Sequence, residues 1–141
     1  MPTRKATAVW QGGLKGEGTF KGQTGLGGNY NFSSRFENGQ GSNPEELLAA
    51  AEAACYSMAL SLGLEKEGFP ATKVETNAAC TIEKVGEGFK ITRMALAVTA
   101  SVPKIDPAKF QAIAAATKEG CPVSAALKGN VAIELDAKLS A

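Results

Sequence analysis

The stretch NPEELLAAAEAACYSMALSLGL (residues 43–64) decides how the rest of the chain is read. Ser42 or Asn43 can cap a helix here, Pro44 suits its first turn, and Glu45 and Glu46 suit its positive end. The pattern predicts one long helix running to about Lys66, stopped by Gly68, Phe69 and Pro70. Leu48, Ala51, Cys55, Met58, Ala59 and Leu62 share one stripe at helical spacing, and Leu47, Ala54 and Leu64 widen the apolar surface beyond it. A helix that is apolar nearly all round must be covered on more than one side. One small domain does not readily supply that cover, so a partner subunit is expected.

On the N-terminal side, residues 4–32 are rich in glycine and hold short β-type segments such as KATAVW and GTF, which predict meandering strands with tight turns. TGLGGNY has the glycines of a phosphate loop but no following Lys-Ser/Thr and no helix to open, so it is read as hairpin turns. SSRFENGQGS (residues 33–42) is predicted to be a polar loop, and it carries Arg35, one of only three arginines. On the C-terminal side, Val74, Thr76, Ala78, Cys80 and Ile82 share one strand face, and Glu75, Asn77, Thr81 and Glu83 mostly share the other. Met94, Leu96, Val98, Ala100 and Val102 mark the inner face of a second strand, and VGEG between the two runs predicts an antiparallel hairpin. Asp106 and Pro107 open a second helix to about Lys118, and CPVSAAL opens a third, short one with Pro122 at its first position. VAIELDAKL (residues 131–139) closes the chain as a strand. The order predicts an α+β fold with mainly antiparallel sheets and a long central helix, as one domain over residues 1–141.

Composition narrows the chemistry. The net charge is +1, and no basic run or basic-aromatic interleaving points to nucleic acid. The N-terminus has no apolar stretch behind its basic residues, and the longest uncharged helical run (residues 53–64) is twelve residues, short for a bilayer. The chain is therefore read as soluble and cytoplasmic, with no membrane partner. Three cysteines, an odd number, argue against a secreted disulfide framework. There is no histidine, which excludes Cys-His and Ser-His-Asp catalysis and histidine-ligated zinc. Three scattered cysteines also disfavour an all-cysteine zinc site, so no metal or cofactor is expected. Chemistry falls to cysteine, arginine and carboxylates.

The cysteines differ in setting. Cys80, between Ala78 and Ile82 on an apolar strand face, reads as a small buried hydrophobe. Cys55 fits among Ala51, Met58 and Ala59 as filler, and burial would raise its pKa. If it is reactive instead, an imported cation must activate it, and Arg35 in the preceding segment is the candidate. Cys121 follows Gly120 and precedes Pro122, at the N-cap of a helix whose N–H groups and dipole favour a thiolate; the alternative is a merely tolerated cap. Two thiols so different in setting suit an attacking and a resolving role, although nothing in the sequence places them together.

SRFENGQGSNPEELLAAAEAACYSMALSL together with GCPVSAAL resembles the OsmC/Ohr family of bacterial thiol peroxidases, most closely its OsmC branch, over essentially the whole chain. The resemblance implies an intertwined homodimer with sheets wrapped around two central helices and a site near each subunit interface. It implies reduction of organic hydroperoxides, with a dithiol, for example on a lipoyl-bearing protein, as reductant. By motif, Cys55 resembles the peroxidatic cysteine, Cys121 the resolving cysteine, Arg35 the arginine of the Arg-Phe loop and Glu45 the glutamate of Asn-Pro-Glu. Glu52 stands where the branch often has histidine, and Tyr56 where phenylalanine is common. Cys80 matches no family motif.

On this reading Arg35 favours the Cys55 thiolate, Glu45 holds the guanidinium by a two-point contact, and Met58, Leu62 and Tyr56 line an apolar substrate pocket. Ten residues separate Glu45 from Cys55, about 15 Å along a straight helix, so either Arg35 bridges much of that gap or Glu45 serves the partner's site. A shared site across the dimer is preferred. Two rival readings remain: a redox sensor, and a dimeric carrier of apolar ligands whose cysteines only pack.

Overall fold

Strands form where the sequence alternates, and three of the four helices among the described residues open on a proline. A computed structural model describes residues 1–140, which fall into two units, Met1–Leu47 and the remainder from Leu48.

The first unit is an antiparallel meander of β1 (Ala6–Gln11), β2 (Glu17–Gly22) and β3 (Gly27–Tyr30), in that spatial order. Trp10, Gly18 and Tyr30 stand opposite one another across the three strands. A Cβ on Gly18 would come within 2.6 Å of the Tyr30 ring and 2.8 Å of the Trp10 ring, so only glycine lets the two rings meet at 5.4 Å between centroids. TGLGGNY is a turn followed by β3, with Gly25 at φ +102°, in keeping with hairpin geometry.

The polar loop expected over residues 33–42 is partly helix. α1 (Phe32–Phe36) carries Arg35, and a reciprocal cap starts it. The Ser34 N–H donates to Asn31 Oδ1 at 2.8 Å, and the Asn31 N–H donates to Ser34 Oγ at 2.9 Å. Polarity suggested a loop; the three-residue cap spacing outweighs it.

α2 (Pro44–Lys66) begins as predicted, with Asn43 as the cap: the Glu46 N–H donates to Asn43 Oδ1 at 2.7 Å. Gly68 at φ +89° ends it, and the Phe69 N–H returns to the Leu64 carbonyl at 2.9 Å.

The second unit holds β4 (Lys73–Val85) and β5 (Gly88–Ser101), an antiparallel pair with a bulge at Thr81/Ile82. α3 (Pro107–Gly120) and α4 (Pro122–Leu127) then cross over to β6 (Ala132–Leu139), which lies parallel to β5. A parallel neighbour requires such a crossover, and the two proline-opened helices provide it. Met94, Leu96, Val98 and Ala100 of β5 are buried as predicted, under Phe110 and Ala114 of α3 and Tyr56, Leu60 and Leu64 of α2. Each of the larger apolar side chains contributes roughly 1.5–3 kcal/mol by leaving water.

The face that α2 turns inward is not the predicted stripe. Glu52, Tyr56, Leu60 and Leu64 are fully buried, whereas Ala51, Met58 and Leu62 are exposed, Met58 at 78%. Both sides of this helix are apolar, so hydrophobic spacing could not choose between them. By length and composition α2 could also cross a membrane; here its buried side covers the β4-β5-β6 sheet.

Candidate active site

Cys121 is gripped by backbone from both sides. Its N–H donates to the Thr117 carbonyl at 2.9 Å to close α3, and its own carbonyl accepts the Ala125 N–H at 2.9 Å to open α4. Its side chain makes no capping hydrogen bond, so capping does not explain a cysteine there. The thiol is fully buried and instead shares a hydrogen bond with Cys55 Sγ, 2.7 Å away. Two cysteines 66 residues apart in sequence thus meet sulfur to sulfur, Cys55 half-buried on the middle of α2.

The electrostatics of Cys55 have identifiable sources. Burial pushes its thiol above the ordinary cysteine value, and the hydrogen bond with Cys121 adds to this. The Val123 backbone N–H, in the first turn of α4, opposes them by favouring the thiolate. The sequence reading directed the N–H groups of this helix at Cys121; the structure turns one of them toward Cys55. The charges of Cys121 and Glu52, when ionised, raise Cys55 further.

In the first unit, Arg35 and Glu45 make the expected two-point contact, Nε to Oε1 and Nη2 to Oε2, both at 3.2 Å. Glu45 is buried and Arg35 about a third exposed, with its guanidinium 5.1 Å from the Phe36 ring centre. Arg35 also lines a cleft of about 290 Å³ with Trp10, Leu14, Tyr30, Phe32 and Phe36.

In the second unit, a groove of about 600 Å³ runs between α2 and α3, lined by Ala59, Leu62, Ile113, Ala116 and Thr117 and reaching Cys121. Tyr56 is not part of such a wall, contrary to expectation. It is fully buried, and its hydroxyl donates to the Ala114 carbonyl at 2.9 Å; burial holds the phenol far above its ordinary pKa. Its phenol ring fills the core where a phenylalanine would, and its oxygen is satisfied by α3. Cys80 faces the half-buried side of β4, opposite Met94.

Sequence reasoning passed over one pair. Glu52 is fully buried, and its Oε1 accepts a hydrogen bond from Ser124 Oγ, itself buried; its Oε2 has no partner. The available signal was that Glu52 is the single charged residue between Glu46 and Glu65. Among the described residues, no three acidic or cysteine side chains gather as a metal-binding group.

The family model described as OsmC-like protein matches residues 37–136, the span that carries α2 and both helix-borne cysteines. The chain belongs to the OsmC family. Peroxiredoxin OsmC of Escherichia coli is 44% identical to it over 138 residues, covering 96% of each chain. Organic hydroperoxide resistance protein OhrB of Bacillus subtilis is 30% identical over 107 residues, covering 75% of this chain and 76% of that one. The crystal structure of OhrB superposes with a TM-score of 0.73 at 28% identity, covering 95% of this chain and 98% of that one. The fold of this chain is thus that of the OhrB structure over nearly its whole length.

Proposed function

We propose that this chain is a two-cysteine thiol peroxidase that reduces organic hydroperoxides to alcohols. The observation that carries the reading is the 2.7 Å approach of Cys121 Sγ to Cys55 Sγ. The Cys55 thiolate attacks one oxygen of the hydroperoxide, the O–O bond breaks, and the alkoxide takes up a proton and leaves as the alcohol. Cys55 is left as a sulfenic acid. Cys121 attacks that sulfur; a disulfide forms, and hydroxide departs with the Cys121 proton as water. An external dithiol, such as a lipoyl group on a carrier protein, restores both thiols by exchange.

Cys55 needs help to ionise, since its surroundings favour the neutral thiol. Arg35, oriented by Glu45, supplies the cation and donors for the peroxide oxygens. The functional unit on this reading is a homodimer with Arg35 and Glu45 of one subunit serving the Cys55 of the other. The exposed Ala51, Met58 and Leu62 on α2 supply the apolar surface such a dimer would cover. The groove that reaches Cys121 is apolar along Ala59, Leu62, Ile113 and Ala116, with Lys66, Glu67 and Lys109 also lining it, and that apolar stretch supports alkyl or aryl hydroperoxides over hydrogen peroxide. The names of two relatives support the peroxidase reading, one being called a peroxiredoxin and the other an organic hydroperoxide resistance protein.

The test is dithiol-dependent peroxide consumption by wild type, Cys55→Ser, Cys121→Ser and Cys80→Ser. Activity is lost in Cys55→Ser, turnover is impaired in Cys121→Ser, and Cys80→Ser stays close to wild type. Cumene or tert-butyl hydroperoxide is consumed more efficiently than hydrogen peroxide. An active Cys55→Ser variant refutes the reading.

A further inference from the structure

Glu52 is a carboxyl group in the wrong place for stability alone. It sits mid-helix in an otherwise uncharged run, fully buried, with one oxygen hydrogen-bonded and the other without a partner. Burying such a group is unfavourable, and an apolar side chain of similar size would avoid the penalty. Its one bond goes to Ser124 on α4.

The spacing gives this bond a purpose. Glu52 and Cys55 are three residues apart on α2, and Cys121 and Ser124 are three apart at the start of α4. Residues three apart on a helix are neighbours on one face. The two helices are therefore joined by adjacent contacts, Cys55 with Cys121 and Glu52 with Ser124. α4 has only six residues, no side-chain cap and no acidic residue in its first turn. So short a helix holds its place through such external ties, not through its own stability.

We propose that Glu52 is a positioning residue for the resolving thiol: by accepting the Ser124 hydroxyl it holds the first turn of α4 on α2, keeping Cys121 over Cys55. The hydrogen bond, not the charge, does the holding. Its kinetic consequence rests on the peroxidase reading above, because Cys121 must find Cys55 once the latter is a sulfenic acid. Its equilibrium consequence does not: the same tie sets how readily the two thiols close a disulfide under any oxidant.

The experiment equilibrates wild type, Glu52→Leu, Glu52→Gln and Ser124→Ala, each in a Cys80→Ser background, with mixtures of reduced and oxidised glutathione. The effective concentration of Cys121 for Cys55 is read from the disulfide fraction, and circular dichroism confirms that each variant is folded. Loss of a hydrogen bond to a carboxylate predicts a fall of about tenfold in Glu52→Leu and Ser124→Ala. Glu52→Gln, whose amide oxygen can still accept from Ser124, stays within about threefold of wild type. A merely space-filling role would not be rescued selectively by glutamine. Ser124→Ala, which removes a single oxygen, decides the matter should Glu52→Leu fail to fold. No peroxide is involved, so a wild type that consumes no hydroperoxide would defeat the peroxidase reading and leave this result standing. A fall smaller than about fivefold in either folded variant, or a Glu52→Gln as impaired as Glu52→Leu, overturns the proposal.

Discussion

Cys121 Sγ lies 2.7 Å from Cys55 Sγ, one thiol fully buried at a helix junction and the other half-buried on the face of α2. A disulfide requires about 2.05 Å between sulfurs, so closing it asks for a small movement of one side chain. From this follows a prediction about order of events. In Cys121→Ser, one equivalent of hydroperoxide converts Cys55 to a sulfenic acid that persists, and excess peroxide drives it on to sulfinic acid. Wild type under the same conditions gives the disulfide. Dimedone trapping with intact-mass spectrometry separates the outcomes; a Cys121→Ser variant that resists overoxidation as wild type does would contradict the assigned order.

The raised pKa of Cys55 carries a stability prediction. Burial and the Cys121 hydrogen bond favour the neutral thiol in the folded chain. A group raised on folding contributes stability below its unfolded pKa, about 8.5 for cysteine, and loses that contribution as pH rises through the folded value. The reduced protein should therefore lose more stability between pH 8 and pH 10 (both about) than Cys55→Ser does. Urea unfolding of both proteins across that window provides the comparison, and parallel curves would remove Cys55 as the cause.

The pattern of β5 was legible in the sequence. Met94, Leu96, Val98 and Ala100 had polar or small residues between them, and one register satisfied the alternation. The starts of α2 and α3 were legible too: Asn43 with Pro44 and Asp106 with Pro107 are local signals that tertiary context did not override, whereas the Asn31–Ser34 cap of α1 was read as loop. The orientation of α2 was not legible. Leu60 and Leu64 on one side compete with Met58 and Leu62 on the other, and only the packed sheet and α3 decide. The nearness of Cys55 to Cys121 is a long-range fact that spacing could suggest only through their contrasting settings. The bond between Glu52 and Ser124 escaped notice because the two residues are 72 apart, beyond any local pattern.

The two sides of α2 should respond differently to substitution. Leu60→Ala empties a fully buried site and is expected to cost about 2–5 kcal/mol of folding stability. Met58→Glu alters a side chain that is 78% exposed in the single chain, so the fold should survive with a change within about 0.5 kcal/mol per subunit. Its effect falls on assembly: a dimer in wild type, a monomer in Met58→Glu, by sedimentation velocity at equal concentration. A wild type that sediments as a monomer would reject the dimer, and with it the shared site.

Arg35→Lys provides the sharpest test of the cation. Lysine keeps the charge but cannot reproduce the paired contacts from Nε and Nη2 to the two Glu45 oxygens. If positive charge alone were required, turnover would survive with little change. If the guanidinium must be aimed, the ammonium will be misplaced, and Glu45, buried at 5% exposure, will be left without its two-point partner. The expected result is a fall in kcat/KM for cumene hydroperoxide of about a hundredfold, the lower end of the range seen when an aimed donor is lost from a charged transition state. Glu45→Gln, which retains one acceptor and loses the charge, should fall less. Arg35→Lys with wild-type kcat/KM would show that Arg35 is an ordinary surface arginine and that Cys55 is activated by some other group.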